Sequence, residues 1–472
     1  MRHSDERIEL LAGVGRCDIT PVPGTPQGGW GAQAHQRGSG ADLAMHATAL
    51  ALKQGDHTIL IVEADAIGFD PEGTERILDA IARLTGLEQS QIRFSCSHTH
   101  SGPNTFRLAN ISEGRDMILA YLEGLPQRIA SAGWQALQGM EPVYAAATVG
   151  ASRINRNRRV RVPSGEVVVG VNEAAAADPA LGVMRFDRKD GTTLATIVHY
   201  ACHPTTVGWQ CDRFTPDYPG PARRVIEEYL GGVCLFLQGA AGDLGPRRGF
   251  TGDRNVYRRL GTELGLAAAS LGMELDPLES CAEFDSVMVS GANIAQYRYR
   301  PVAHAPLLRM LTRTLQLPVK PLPSQAELEA ELVLLRARAE AFAIAGEKAE
   351  MLRAQALATQ AGWRLENSRR YAGKSTADWP MQLIRIGSCV FVSLAGEPFS
   401  SIARRIRDQS PARCTFVSGY SNGGFGYIPD RVAYREGGYE VEATPFSEDA
   451  ADVVVDQALS AIQELFKEKI VP

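Results

Sequence analysis

Apolar positions in this chain fall into two patterns. Some form short continuous runs, and others recur every three or four residues over longer stretches. His57–Ala66, Ile92–Cys96, Leu194–Ala201, Val233–Gln238, Cys389–Leu394 and Thr415–Tyr420 are runs of the first kind and predict buried strands. Leu11–Thr20 and Val143–Val149 predict further strands. Gly73–Leu84, Met117–Ala136, Phe399–Ile406 and Glu448–Lys467 carry the helical spacing. Strand, helix and strand in succession indicate an α/β fold, here a large mixed β-sheet core flanked by helices.

Two further features complete that outline. Ser324 to Tyr371 is dominated by Ala, Glu, Leu and Arg and predicts two helices broken near Ile344-Ala345-Gly346. This helical-hairpin insertion over 324–371 is expected to pack on the body or to serve oligomer contacts, without chemistry of its own. Met381–Ile386 and Cys389–Leu394 flank Gly387-Ser388, the pattern of a two-residue hairpin turn. The long Pro/Gly-rich run from Pro21 to Gly40, with Trp30 and His35, reads equally as a pocket wall and as a plain surface loop.

Composition removes several function classes. A net charge of −5 over 472 residues gives no basic footprint for nucleic acid. No window approaches the ~20 apolar residues of a membrane span. The start, Met1 to Arg7, runs into a short apolar patch followed by Arg16 and Asp18, which is not a leader sequence. The eight cysteines are scattered, with no C-x-x-C, so buried free thiols and a cytoplasmic address are expected.

The candidate chemistry sits at strand ends. Ile92–Cys96 is followed by Ser97-His98-Thr99-His100-Ser101-Gly102-Pro103. Strand residues two apart share a face, so His98 and His100 are expected to point together into the space left by the next loop. Neutral imidazoles in such a pair suit a metal ion. Leu194–Ala201 repeats the arrangement with Cys202-His203-Pro204-Thr205-Thr206. Glu397 follows Cys389–Leu394 and reads either as a metal ligand or base, or as a charge capping the next helix. Asp65, at the end of His57–Ala66, reads as a support for a site or as a local cap. Gly239–Pro246 is rich in small residues that permit close backbone approach, but it matches neither a P-loop nor a dinucleotide fingerprint. The arginine cluster from Arg153 to Arg159 reads on its own as a solvated face. A TIM-barrel amidohydrolase is rejected, because the further histidines and aspartate it needs are absent at its spacings.

The order of these stations resembles the neutral/alkaline ceramidase family. The resemblance rests on HTHSGP at 98–103, INR at 154–156, His203-Pro204, GD at 242–243, GEP at 396–398, SN…YI at 421–428 and YE at 439–440. GVGRCDIT near the start and VEAD at 62–65 also resemble that family's opening strands, so the likeness spans nearly the whole chain. Read this way, 1–472 is a single ceramidase-like catalytic domain with the 324–371 insertion inside it. The resemblance implies one Zn2+ held by His98, His203, Glu397 and Tyr427. It also implies substrate-polarising roles for His100, Arg156 and Tyr439.

Three departures qualify the substrate. Gly245 stands where the family has a serine before proline, so any role of that hydroxyl in fixing a polar headgroup is missing. A short form without the C-terminal immunoglobulin-like domain of longer members is expected, as is the lack of a targeting segment. The implied reaction is zinc-dependent hydrolysis of an N-acyl amide, with zinc-bound hydroxide attacking the acyl carbon. Tyr439 and Arg156 would donate to the oxyanion, and His100 would pass a proton to the leaving amine. Two alternatives stand beside it: a hydrolase of the same family acting on a small polar amide, ester or glycosidic bond, and a non-catalytic metal-binding protein. A small-molecule or lipid-like N-acyl substrate is expected as partner, and a homo-oligomer is a further expectation.

Overall fold

In the computed structural model, residues 9–467 are described apart from 32, 34, 107–110, 278–279, 302–306 and 424–425. The Met1–Arg7 start and the ends of the 1–472 domain reading therefore lie outside the described residues.

An eight-stranded mixed sheet forms the frame. Its order is Val233–Gln238, Thr193–Tyr200, Ala180–Arg188, Glu141–Ala151, Leu11–Asp18, His46–Gln54, His57–Ala64 and Ile92–Cys96. Both outermost pairs are parallel, and the inner pairs are antiparallel. A parallel pair requires a crossover. Helix Pro71–Thr85 supplies one and helix Pro219–Leu230 the other. A second sheet of four strands runs Leu308–Pro318, Thr376–Ile386, Cys389–Leu394 and Cys414–Ser418. Its last pair is also parallel, crossed by helix Ser400–Gln409.

Packing follows from the buried faces. One face of the large sheet is covered by Pro71–Thr85 and Arg115–Gln138 through residues such as Ile77, Ile81, Ile118 and Ile129. Its other face meets the four-stranded sheet, with Leu52, Ile61 and Phe186 against Ile384, Phe391 and Phe416. Helices Ser400–Gln409 and Ala450–Lys467 cover the far face of the smaller sheet. The result is helices, sheet, sheet and helices in four layers.

The predicted α/β class with a large mixed sheet therefore stands. The insertion is a helical hairpin, Gln325–Ala345 and Lys348–Tyr371, opened by a Ser324–Glu327 capping box and broken at Gly346 in the left-handed region. The Gly387-Ser388 turn joins Thr376–Ile386 to Cys389–Leu394.

Three strand ends are stitched together beneath the site. Ser95 bridges Ser421, and Gly239 bridges Ser418, so the two edges of the large sheet both meet the end of Cys414–Ser418. Arg93 lies fully buried at this seam. Its guanidinium donates to the hydroxyls of Ser393 (2.6 Å), Ser95 (2.8 Å) and Ser421 (3.1 Å), one from each converging segment. Burial lowers its pKa to about 10, against the pull of Glu63. Among the described residues, no helix is long and apolar enough to cross a membrane.

Candidate metal centre

Each of the three parallel crossovers of the two main sheets delivers a candidate side chain just past the carboxyl end of a strand, where open α/β sheets place their ligands. His98 follows Ile92–Cys96, His203 follows Thr193–Tyr200, and Glu397 follows Cys389–Leu394. Glu397 is in parallel register with Tyr427, so the two side chains start from one face of a short strand pair.

The two histidines of the H-x-H do not converge by strand alternation, because the strand ends at Cys96. Instead His98 adopts a left-handed backbone with φ 66°. That turn aims its ring back toward His100, with ring centroids 5.0 Å apart. The expected geometry of a continuing strand is thus corrected, while the convergence itself is observed.

Backbone carbonyls fix all three imidazoles. His98 Nδ1 donates to Ile67 O at 2.6 Å, His100 Nδ1 to Gly29 O at 3.0 Å and His203 Nδ1 to Ala241 O at 2.7 Å. A carbonyl only accepts, so each Nδ1 carries the proton and each Nε2 presents a lone pair. The three ligand atoms lie within 4.8 Å of one another. His100 Nε2 is 3.4 Å from His98 Nε2, and Glu397 Oε2 stands 3.0 Å from His203 Nε2 and 3.6 Å from His98 Nε2. His98 and His203 are buried, and burial holds both well below the usual imidazole range. For His98 this outweighs the opposing pull of Glu397, while for His203 the Arg158 charge adds to it. Neutral imidazoles with acceptor nitrogens facing a carboxylate repel unless a cation sits among them. The donor set, nitrogen and oxygen with Nδ1 protons held from behind, fits a divalent metal.

The second reading of Glu397, as a helix cap, is overturned by Asp243. Ser400 N donates to Asp243 Oδ1 at 2.6 Å and Ser400 Oγ to Oδ2 at 2.8 Å, so the GD motif caps the helix that follows Glu397. Gly396, at φ +71°, permits the turn; a Cβ there would lie 2.5 Å from Gly426 O. The small-residue loop Gly239–Pro246 approaches a neighbouring element, since Ala241 and Leu244 carbonyls receive His203 Nδ1.

Tyr427 is buried, and burial followed by Glu397 and Tyr439 raises its hydroxyl well above the usual range. Tyr439 packs edge-on to Tyr427 at 5.5 Å and to Trp363 of the helical insertion at 5.7 Å. The insertion therefore packs on the body, as expected, and its Trp363 does so beside Tyr439. Arg156 is turned to the main chain, where its Nη1 donates to Arg153 O and Asn155 O. Arg158 occupies the place beside the tyrosine, its guanidinium 5.4 Å from the centre of the Tyr427 ring. Arg158 and Arg159 share the Glu440 carboxylate at 3.0 and 2.6 Å. Burial opposes the Arg158 charge, but Tyr427, Glu440 and Glu397 outweigh it and push the pKa up.

Other neighbours had no signal in the sequence. Tyr420 lies with its ring 4.2 Å from that of His98, itself at φ 55°. Trp30 lies 4.8 Å from His100 and packs on Trp209 and Phe250. The Pro21–Gly40 run therefore packs beside the imidazoles through Trp30, while its His35 pairs with Gln27. Asp65 bonds Arg223 and His46 N, a structural role beside the buried Glu63.

A family model described as neutral/alkaline non-lysosomal ceramidase, N-terminal, matches residues 10–249. The chain belongs to that ceramidase family. A search of curated proteins gives no match. Among solved structures, the neutral ceramidase from Pseudomonas aeruginosa is similar, with a TM-score of 0.68 at 17% identity. The likeness covers 97% of this chain and 75% of that one. A structure titled as a ceramidase complexed with C2 gives a TM-score of 0.65 at 15% identity, over 98% of this chain and 76% of the other. At those identities the shared property is the ceramidase fold, and the matched span 10–249 contains His98, His100 and His203.

Proposed function

We propose that this ceramidase-family hydrolase is zinc-dependent and cleaves N-acyl amide bonds. The observation that supports it is the set of three Nδ1-locked imidazoles whose Nε2 atoms face the Glu397 carboxylate. His98, His203, Glu397 and Tyr427 would hold the zinc, whose nitrogen and oxygen preference suits them. When bound, the metal supplies a water of lowered pKa and polarisation of the acyl carbonyl. The protein's own groups account for the remaining needs. His100 Nε2 takes a proton and returns it to the leaving amine, its ring steadied by Gly29 O and Trp30. Tyr439 donates to the oxygen that gains charge. Arg156 would do so only by leaving its two carbonyls, whereas Arg158 already stands beside Tyr427 and favours the phenolate that a ligand needs.

A second reading of the ligand set replaces Tyr427 by His100, favoured by the shared 4.8 Å cluster of the three imidazoles. Zinc content of Tyr427→Phe and His100→Ala decides between them: the true ligand's loss lowers occupancy. A lipid-like substrate fits the family, and a small polar N-acyl compound fits the absence of a serine at 245. One catalytic domain over 1–472 and a cytoplasmic address belong to the same reading; the latter is supported by eight unpaired cysteines.

The deciding experiment measures bound zinc and the turnover of N-acyl substrates from acetyl to palmitoyl. Turnover lost to a chelator and restored by zinc is expected. A folded, zinc-loaded protein that hydrolyses no amide or ester would favour the metal-binding alternative.

A further inference from the structure

Among the described residues, strands Ser280–Ser290 and Ala292–Pro301 pair only with each other. Every side chain from 281 to 299 is exposed. An isolated two-stranded hairpin is marginal in water, so this one lacks the packing that would make it stable.

Its aromatic and valine side chains nonetheless gather on one face, with the less exposed Met288–Ile294 pair on the other. Phe284 pairs with Tyr297, and Ala282 with Tyr299, so these four share a face. Plain alternation would continue that face through Ser286 and Met288. The register instead shifts at Asp285, a bulge that adds one residue to the first strand. Beyond it Val287 pairs with Ala295 and Val289 with Asn293, which returns both valines to the face of Phe284. The exposures of Phe284, Val287, Val289, Tyr297 and Tyr299 are 62, 57, 78, 52 and 69%. Arg298 lies on the opposite face and pairs with Asp285 at 2.6 Å.

We propose that this face is a homodimer interface, covered in solution by the same hairpin of a second copy of the chain. With full aromatic areas of about 150–250 Å² each, those exposures leave about 600 Å² of apolar surface per copy. Two such faces bury about 1,200 Å², the lower edge of a stable interface. A two-fold axis across the hairpin sets the aromatic end, Phe284, Tyr297 and Tyr299, on the aliphatic end, Val287 and Val289, of the other copy. Large side chains then meet small ones. A lipid bilayer is the poorer occupant, because among the described residues no further strand joins either outer edge of the hairpin, and hydrocarbon cannot satisfy the backbone groups there. Face-to-face packing leaves those edges in water.

Sedimentation velocity on the full chain at micromolar concentration tests this. The wild type is expected at twice the mass of one chain, and Phe284→Ser combined with Tyr297→Ser at the mass of one chain. Val289→Ser alone is expected to raise the dissociation constant about tenfold. Gln296→Ser, on the opposite face, is expected to stay dimeric, which separates loss of the interface from loss of the hairpin. A monomeric wild type, a dimeric double variant, or a Gln296→Ser that also dissociates would overturn the proposal. So would wild-type protein that is monomeric and floats with phosphatidylcholine/phosphatidylglycerol vesicles in a Phe284-dependent way.

Discussion

The two halves of the candidate centre are held by different means. His98, His100 and His203 come from the large sheet, and each ring is pinned by a main-chain carbonyl that no side-chain substitution removes. Glu397, Tyr427 and Tyr439 come from the smaller sheet and its loops. There the fixing groups are side chains: Asp243 caps the helix after Glu397, and Glu440 holds Arg158 beside Tyr427 and Arg159 over Phe399. The histidine half is thus preset by chain path, and the carboxylate and tyrosine half by a network of charges. A metal site of this kind should keep its imidazoles aligned while its oxygen ligands respond to distant substitutions.

The largest effect should come from Glu397, the proposed oxygen ligand. Glu397→Ala is expected to lower amide turnover about 1,000-fold and to reduce bound zinc, since the metal's share of catalysis is several kcal/mol. Metal analysis beside initial-rate kinetics reads both, and an active, fully loaded variant would remove Glu397 from the centre. Next in size is Glu440→Gln. It leaves Arg158 and Arg159 buried without their shared carboxylate, a loss of about 3 kcal/mol in stability. The urea midpoint should fall while zinc binding through the histidines persists. Equal loss of zinc and stability would mean that the halves are not held independently.

A pH experiment probes the seam between the sheets. His199 is buried, with Nε2 donating to Val417 O of the smaller sheet at 2.9 Å. Burial lowers its pKa from 6.5 to about 4. The folded state therefore keeps it neutral where the unfolded chain takes up a proton. Its contribution is complete above about pH 6.5 and is lost as pH falls towards 4. Between pH 7 and pH 5 the change is about 2 kcal/mol from linkage alone. Urea unfolding of wild type and His199→Gln at both values should show a shallower pH dependence in the variant. Identical slopes would assign the acid sensitivity elsewhere.

Much of this was legible in the residues, and the gaps have physical causes. The buried strands, the Ser324 cap and Gly346 break of the insertion, and the Gly387-Ser388 turn are local signals, and they fold as read. The cluster of His98, His100, His203 and Glu397 was legible as well, through strand ends and family order. The carboxylate that caps the helix after Glu397, however, is Asp243, far away in sequence, and no local pattern could have named it. Arg156 and Arg158 look alike in an arginine run, yet the strand shifts register between Asn157 and Arg159. Arg158 ends up buried beside Tyr427, and Arg156 turns to the main chain. Trp209 and Phe250 carry no motif, and nothing local tied Trp30 or Tyr420 to the histidines, so only the fold brings them together.

The smallest expected effect sharpens the substrate side of the comparison. Gly245 is buried in register with Arg156, and a Cβ added there would have Arg158 Cβ as its nearest neighbour at 3.6 Å, an ordinary contact. The backbone is not in the left-handed region, so serine can be accommodated. Gly245→Ser should leave stability within about 0.5 kcal/mol of wild type. It restores a hydroxyl beside the arginines of the charge-held half, and one added hydrogen bond corresponds to about 2- to 10-fold in kcat/KM. The ratio of kcat/KM for a long-chain N-acyl sphingoid base to that for a short polar N-acyl amide should rise by that factor. If the ratio stays fixed while the protein folds normally, position 245 does not meet the headgroup, and specificity must be set elsewhere around the metal.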